Sequence, residues 1–314
     1  MPATKPNVAA LVEQMPDTDK EIQATQDEAK PRTPSDAPDK PKPKPDRWGA
    51  ASKFTGPDPD AAEKVFSEIL SGGRDSVLQL LELVREPSDA DYKNYKASYV
   101  LHGLVIYVGH AGNEKQRRIL TQSIASELGS DKHSKAVKGF LIRELRVIGG
   151  KEVVTALSKH LVDDELCEDA TQALLTVRDG VAPRFRSALG KAKGRNRLTI
   201  IQALGVLQDT GSAAALKRAL QDDDGDVRRS AAWALANTGE ARAAEVLIKS
   251  AANAEGWEKS QATKACLLLA ERLAATGQKP QAARIYAHLR DTRKDPAERH
   301  VREAAERALS VTPH

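Results

Sequence analysis

The sequence predicts an all-α protein built as an α-solenoid, in which antiparallel helix pairs stack one on the next behind a disordered N-terminal arm. Aromatic residues make up only 4% of the 314 residues and charged residues 29%, while alanine and leucine dominate the apolar set. That composition favours helices packed through small side chains over sheets rich in β-branched and aromatic residues. A leucine that recurs every 29 to 31 residues in the second half of the chain then predicts stacked repeats.

Residues 1–57 are predicted to be the disordered arm. Eleven of the 16 prolines lie within the first 59 residues, and a segment rich in proline, lysine and aspartate cannot bury enough apolar surface to offset the entropy of an ordered chain. Within the arm, residues 8–15 (VAALVEQM) form a short apolar island. This island is either an unremarkable part of the tail or a docking motif that folds on a partner.

Residues 58–130 are predicted to form N-terminal helical hairpins. The stretch DPDAAEKVFSEIL has apolar residues at helical spacing behind a Pro-Asp start, and the pair Gly72-Gly73 ends this helix before SVLQLLELV. A longer helix follows, and His102 in it is interpreted as a hydrogen-bonded packing residue. One side of that helix carries a stripe that suits either packing between helices, which we favour, or a ligand platform: Tyr92, Tyr95, Tyr99 and Ile106.

Residues 131–254 carry the internal repeat. Each copy has a leucine near the end of its first helix, followed by a glycine, and the leucines are Leu145, Leu174, Leu204 and Leu235. The second helices place an apolar pair one turn apart, at 157/161, 185/189, 216/220 and 247/251, which is typical of a helix with one buried stripe. Because two short helices cannot bury that stripe alone, the copies are predicted to stack into a solenoid.

The clearest copy is DGDVRRSAAWALANTG at 224–239. We expect the aspartates at 222–226 to cap the first helix at its positive end. Small alanines should let neighbouring helices approach, while Trp233 and Leu235 supply bulk. Gly239 should adopt the left-handed conformation that reverses the chain.

The pattern D-x-D-V-R-R-x-A-A-x-A-L-x-x-x-G in this copy, with weaker copies from about 133 to 252, resembles the bacterial HEAT-like repeats first associated with phycobilisome lyases. The resemblance implies an armadillo-type superhelix that works through protein–protein interaction. Residues 255–314 depart from the pattern. The segment LAERLAATGQKPQAARIYAHL resembles a tetratricopeptide hairpin, and residues 296–310 resemble a final capping helix.

The motifs of catalysis and cofactor binding are not found, so we predict a protein that is not an enzyme and uses no cofactor or metal. Deoxyhypusine hydroxylases, which have similar repeats, carry His-Glu pairs for two irons, and this sequence has no His-Glu dipeptide. Two cysteines neither support nor exclude a bilin lyase; Cys167 and Cys266 are interpreted as small buried residues. A calcium loop centred on Gly225 would put Leu220 and Ala231 at its first and last ligand positions, which excludes that interpretation.

The second helices are predicted to carry a basic strip, because each aligned copy has at least one cation between its two apolar positions. The strip continues into PRFRSALGKAKGRNR, which has six cations and no acid between 184 and 197. Such cations either solvate a helix face or bind an acidic protein segment, a nucleic-acid backbone or an anionic polysaccharide. The candidate partner-binding residues are Lys159, Arg184, Arg186, Lys191, Lys193, Arg195, Arg197, Lys217, Arg218 and Lys249.

Together these patterns predict a non-catalytic scaffold that binds one or more proteins through its concave face. The alternative is nucleic-acid or polyanion binding through the basic groove, as in base-excision enzymes that use similar repeats. A net charge of +4 is too mild to favour nucleic acid by itself, and acids at 163–165 and 222–226 interrupt the strip. The sequence lacks an 18-residue apolar run and the apolar core of a signal peptide, so we expect no membrane partner and a cytoplasmic location.

Overall fold

A computed structural model describes residues 5–15, 59–86 and 95–311, and within these ranges every regular element is a helix. The all-α prediction is therefore confirmed for the described residues, whose helices pack as neighbouring pairs. The chain divides into two compact units, unit 1 from Met1 to Gly149 and unit 2 from Gly150 to His314. This division falls inside the segment 131–254 that the sequence marks as repeats.

Unit 1 contains helices packed in two rows. Helices α2, α4 and α6 pack in one row, and α3 and α5 pack against each other in the second. The apolar residues between the rows form the core, and Ile69, Leu80, Leu101, Leu120 and Leu141 are fully buried there. The helices are α1 (Val8–Glu13), α2 (Pro59–Ser71), α3 (Gly73–Leu83), α4 (Tyr95–Gly109), α5 (Glu114–Glu127) and α6 (Lys135–Ile148).

The prediction of disorder is wrong for residues 5–15. Asn7 caps α1, since its side-chain oxygen accepts a hydrogen bond from the Ala10 amide at 3.1 Å. The apolar island packs against α2, α3 and α4 of its own unit, which supplies the burial that a local count of apolar residues cannot anticipate. The remainder of the arm, residues 16–57, lies outside the described residues.

The interpretation of the α4 stripe as core is wrong for Ile106, which is 47% exposed, while Tyr95 and Tyr99 are half-buried. Tyr92 lies outside the described residues. The face of α4 that enters the core is a different one: Ala97, Val100, Leu101, Leu104, Val105 and Val108. The prediction for His102 is confirmed only for its hydrogen bond, because its Nδ1 lies 3.1 Å from both carboxylate oxygens of Glu144 on α6. It is wrong for packing, since the His102 side chain is 57% exposed.

Unit 2 alternates short and long helices. The long-helix row, α8, α10, α12 and α14, packs side by side, and each member also contacts the short helix that precedes it, α7, α9, α11 or α13. The last two helices, α15 and α16, continue the stack. The bounds are α7 (Val154–Ser158), α8 (Cys167–Val177), α9 (Ala182–Leu189), α10 (Gly194–Val206), α11 (Ala213–Ala219), α12 (Gly225–Asn237), α13 (Ala244–Asn253), α14 (Gly256–Ala275), α15 (Lys279–Thr292) and α16 (Arg299–Val311).

The repeat positions form the core of unit 2, as predicted. Leu174, Leu204 and Leu235 are fully buried in the long helices. The apolar pairs of the short helices are buried as well, at Leu157 and Leu161, Phe185 and Leu189, Leu216 and Leu220, and Leu247 and Ala251.

The ends of helix α12 confirm two further predictions. Asp224 caps it, because its carboxylate accepts a hydrogen bond from the Asp226 amide at 2.8 Å. Gly239 has φ +68°, the left-handed conformation expected of the residue that reverses the chain. One repeat earlier Gln208 takes that role with φ +54°, while Gly211 lies in a short 3-10 turn, Thr210–Ser212. None of the described helices is both long and apolar enough to cross a membrane.

Candidate partner-binding surfaces

The ten cations of the predicted basic strip all lie in unit 2, but on three kinds of segment. The short helices carry Arg184 and Arg186 on α9, Lys217 and Arg218 on α11, and Lys249 on α13. Lys159 follows α7 directly, Lys191 and Lys193 lie in the connection after α9, and Arg195 and Arg197 belong to the long helix α10. The strip therefore extends from the short helices onto one long helix.

Three of these cations connect consecutive repeats. The Nη1 atom of Arg186 lies 2.6 Å from Asp209 Oδ1, and the Nε atom of Arg197 lies 3.0 Å from Asp222 Oδ2. Lys217 donates a hydrogen bond to the carbonyl oxygen of Arg242 at 3.1 Å. Their donors are thus directed at neighbouring repeats, which weakens the field that they present to a partner.

The other seven cations are exposed, and none of them forms an ion pair with another residue that the structure describes. Four of them, Arg184, Lys191, Lys193 and Arg195, leave positive charge on α9, the connection after it and the start of α10. The seven are Lys159, Arg184, Lys191, Lys193, Arg195, Arg218 and Lys249. Their role in binding stays a prediction.

Trp233 does not supply bulk to the core, and this part of the sequence interpretation is wrong. Its side chain is 39% exposed on the outer face of α12, whereas Ala231, Ala234 and Leu235 are fully buried. On a helix with 3.6 residues per turn, Trp233 lies about 100° from Ala234 and so points away from the core stripe. The alternation of alanines around it made it look like a core position.

A glycine on the neighbouring helix leaves the space that Trp233 occupies. A Cβ atom added to Gly205 on α10 would lie 2.9 Å from Trp233 Cε3 and 2.9 Å from the Ala234 Cα, closer than non-bonded carbons approach each other. Because Gly205 has no side chain, the Trp233 indole can lie close to the α10 backbone at this position. The close approach of α10 and α12 thus places the tryptophan beside Val206, which is 48% exposed.

These residues form a groove of about 700 Å³ along the outer face of α10, α12 and α14. Trp257, at the start of α14, is 63% exposed and faces the same groove as Trp233. The sequence has only three tryptophans, so two of them lie in one place. The groove is lined on its apolar side by Val206, Trp233, Trp257, Ala265 and Leu268, and on its polar side by Gln202, Asp226, Arg229, Ser230, Gln261 and Lys264.

The charged residues in the groove are held in a fixed arrangement. The guanidinium carbon of Arg229 lies 4.5 Å from the centroid of the Trp257 ring, a cation–π distance. Arg229 also forms an ion pair with Asp226 one turn before it. Lys264 is exposed at the rim. The groove therefore presents two indole faces, one anchored guanidinium and one exposed ammonium.

The aspartates at the start of α12 cap the helix and accept hydrogen bonds from Arg228. Arg228 binds both carboxylate oxygens of Glu258 on α14, at 2.7 and 3.1 Å, and donates to the carbonyls of Asp222 and Asp223. The hydrogen bond from Arg228 lowers the pKa of the Glu258 carboxyl and raises the pKa of Arg228 itself. Across the described ranges, there is no group of three His, Cys, Asp or Glu residues that could hold a metal ion.

The two cysteines are buried, as predicted. Burial raises the pKa of the Cys167 thiol to about 11 and that of the Cys266 thiol to about 12. The Cys167 thiol donates to the carbonyl oxygen of Leu161 at 3.0 Å. Both thiols are therefore protonated near neutral pH. A cysteine nucleophile reacts as the thiolate, so neither thiol is activated for such chemistry.

Comparison with known proteins agrees with this architecture. Residues 182–266 match the family model for HEAT repeats, and no curated protein matches the chain. Among solved structures, an engineered protein is 19% identical, covering 80% of this chain and 73% of its own, with a TM-score of 0.42. A second structure, the complex of CpcE and CpcF of phycocyanin lyase from Nostoc, is 16% identical, with a TM-score of 0.36. The match covers 76% of this chain and 94% of that chain.

A third structure, from a study of the interaction between cadherin and beta-catenin, is 12% identical and covers 81% of this chain and 61% of that chain, with a TM-score of 0.39. The matched segment of the family model runs from α9 into α14. It includes the close approach of α10 to α12 and the two tryptophans of the groove. Residues 182–266 are therefore similar to HEAT repeats.

Proposed function

We propose that this chain is a non-catalytic repeat scaffold that binds a protein partner, and that the groove lined by Trp233 and Trp257 holds an apolar anchor of that partner. The observation that carries the proposal is the exposure of two tryptophans that line one groove in a chain with 4% aromatic residues. Tryptophan and arginine are the residue types that most often dominate the energy of protein interfaces.

The groove suits a peptide segment with an apolar side chain beside an acidic one. An apolar side chain would lie between the two indole rings and against Val206 and Leu268. A neighbouring carboxylate would lie near the exposed ammonium of Lys264. Arg229 is already stacked on Trp257 and paired with Asp226, so little of its side-chain entropy is lost on binding.

The basic strip favours a second candidate function, binding of a polyanion such as nucleic acid. Its support is the set of seven exposed cations of the strip, four of which lie on α9, in the connection after it or at the start of α10. The other three cations of the strip are directed at neighbouring repeats and weaken this support. Phosphate binding depends steeply on salt, whereas an apolar anchor does not. Salt therefore separates the two functions.

Binding of a protein partner at a concave face formed by the short helices also stays a prediction.

The test is affinity capture from the native lysate at low and high salt with three baits: the wild type, Trp233→Ala with Trp257→Ala, and a cation variant. The cation variant replaces four exposed residues by glutamine: Arg184, Lys191, Lys193 and Arg195. We expect proteins that bind the wild type and the cation variant at both salt concentrations and that are lost from the tryptophan variant. Any captured protein is then remeasured in purified form.

Val162→Ser is the matched control, since Val162 is an apolar residue of unit 2 that is 43% exposed and lies outside the groove. It should retain every partner of the wild type. Partners that bind the tryptophan variant as well as the control would contradict the proposed groove. Nucleic acid lost from the cation variant and at high salt would establish the second function in its place.

A further inference from the structure

Helix α1 occupies a groove of unit 1 in the way that a bound peptide does. Its six residues contact α2, α3 and α4. The buried side chains are Val8, Leu11, Val12 and Met15, which follow the spacing i, i+3, i+4 and i+7 and are each 5% exposed or less. This spacing is the one by which amphipathic helices bind hydrophobic grooves of other proteins.

Polar contacts fix the direction in which α1 lies. The Lys96 ammonium on α4 lies 3.3 Å from the Glu13 carboxylate and 3.4 Å from the Glu13 carbonyl oxygen, at the C-terminal end of α1 where a cation is favourable. The Lys96 side chain is only 5% exposed. At the other end, the Lys5 ammonium lies 3.1 Å from Asp75 on α3. A ligand helix is therefore recognised by four apolar side chains and one acid at i+5.

The connection of α1 to the rest of unit 1 is long. Forty-three residues, 16 to 58, separate the described segment of α1 from the start of α2. A helix of six residues is too short to be stable by itself in water, so its stability comes from the groove. The groove consequently holds the helix through side-chain contacts. Because α1 is tethered to the groove by the chain, its effective concentration at the groove is roughly 1 mM at most.

We propose that the groove formed by α2, α3 and α4 is a binding site for an amphipathic helix of a partner protein, and that α1 is its built-in competitor. The partner helix carries apolar residues at i, i+3, i+4 and i+7 and an acid at i+5. It binds when it displaces α1. This inference concerns unit 1 and does not rest on the function proposed for the groove of unit 2.

The test measures binding of a fluorescently labelled synthetic peptide of residues 5–15 to three proteins by fluorescence anisotropy. These are the full chain, the chain lacking residues 1–15, and the full chain with Leu11→Asp. The Leu11→Asp change keeps α1 tethered but places a charge at a buried position, so α1 should leave the groove. If the peptide binds the truncated chain with a dissociation constant of about 10 μM, a tethered competitor at roughly 1 mM weakens binding to the full chain ~100-fold. The Leu11→Asp chain should bind like the truncated one.

A peptide with Glu13→Lys is the matched control for the polar contact. It should bind the truncated chain at least ~10-fold more weakly, and Lys96→Glu in that chain should restore part of the loss, because the ion pair is then reversed. A peptide of scrambled order should not bind.

Four results would overturn the proposal. Equal affinity of the peptide for all three proteins would place its site elsewhere. No binding to the two variants while their circular dichroism stays native would show that the groove does not accept a helix in trans. Loss of the native helical signal in both variants would make α1 an integral part of unit 1. A concentration-dependent dimer of the full chain, measured by sedimentation, would contradict a foreign partner and assign the groove to α1 of a second copy.

Discussion

Gly205→Ala tests the contact on which the groove of unit 2 depends. In an open helix this change is stabilising by about 1 kcal/mol, because alanine loses less backbone entropy than glycine. Here the new methyl group would lie 2.9 Å from the Ala234 Cα and 2.9 Å from Trp233 Cε3. The indole can tilt outward, since it is 39% exposed, but the Ala234 backbone moves only if α12 moves.

The expected outcome is a net loss of stability. Overpacking of this kind typically costs about 1 to 3 kcal/mol. Because one of the two obstacles is backbone, we place the cost near the upper end, and the helix-propensity gain of about 1 kcal/mol offsets part of it. The free energy of unfolding should therefore fall by roughly 1 to 2 kcal/mol.

Urea unfolding followed by tryptophan fluorescence measures this change. Trp48→Phe is included in every variant, so that the signal comes only from Trp233 and Trp257 in unit 2. Trp233→Ala should suppress about half of the cost of Gly205→Ala, because it removes the ring and leaves the Ala234 backbone. The coupling between the two changes is then about 1 kcal/mol.

Gly190→Ala is the matched control. Its added Cβ would have the Ser187 carbonyl oxygen as nearest neighbour at 3.9 Å, an ordinary contact, and its φ is −66°. This change should be neutral or slightly stabilising. A Gly205→Ala protein as stable as Gly190→Ala, or one whose loss Trp233→Ala leaves unchanged, would refute the close packing of α10 on α12.

Three further predictions concern named side chains of unit 2. Cys167 and Cys266 should resist an aromatic disulfide reagent at pH 8 in the folded protein, since pKa values of about 11 and 12 leave at most about one thiolate in a thousand; rapid reaction without denaturant would contradict their burial. Arg228→Met should lower the free energy of unfolding by about 1 kcal/mol at pH 7, because it removes the ion pair with Glu258. Because Arg228 lowers the pKa of Glu258 below 4.5, the carboxylate's share of that stability is present above pH 4.5 and disappears as the pH falls through the lowered pKa. Urea unfolding at a series of pH values falling from 7 measures this. A difference that stays undiminished where NMR shows Glu258 to be protonated would assign the whole effect to the Asp222 and Asp223 carbonyls. Trp257→Ala should change stability by no more than about 0.5 kcal/mol, as an exposed residue does, so a large loss in thermal unfolding would mean that Trp257 is structural.

The buried positions of the repeats are well determined by local sequence. Leu174, Leu204 and Leu235 recur at nearly constant spacing, and each is buried against the adjacent short helix. The cap at Asp224 and the turn at Gly239 follow from the same local chemistry. The cap and the turn depend on residues within about one turn of each other, and the leucines recur with a short repeated pattern, so all of these features can be predicted from the sequence.

The surfaces were predicted less well. Trp233 is predicted to supply bulk to the packing, but it is 39% exposed. The predicted basic strip includes Arg186, Arg197 and Lys217, which bind neighbouring repeats. Two signals for the groove were present in the sequence. Trp233 is displaced by one residue from the core stripe, and Gly205 interrupts the α10 pattern at the position opposite to it.

The sequence by itself determined that this chain is helical, that the recurring leucines and the apolar pairs of its repeats face inward, and where α12 is capped, because helix periodicity and capping are local properties. Only the tertiary structure decided that Trp233 and Trp257, which are 24 positions apart, share one groove and that α1 packs on α2, although 45 residues lie between the two helices. Those juxtapositions depend on the distance and angle between stacked helices. Inter-helix geometry arises from the summed packing of many side chains, and no single motif encodes it.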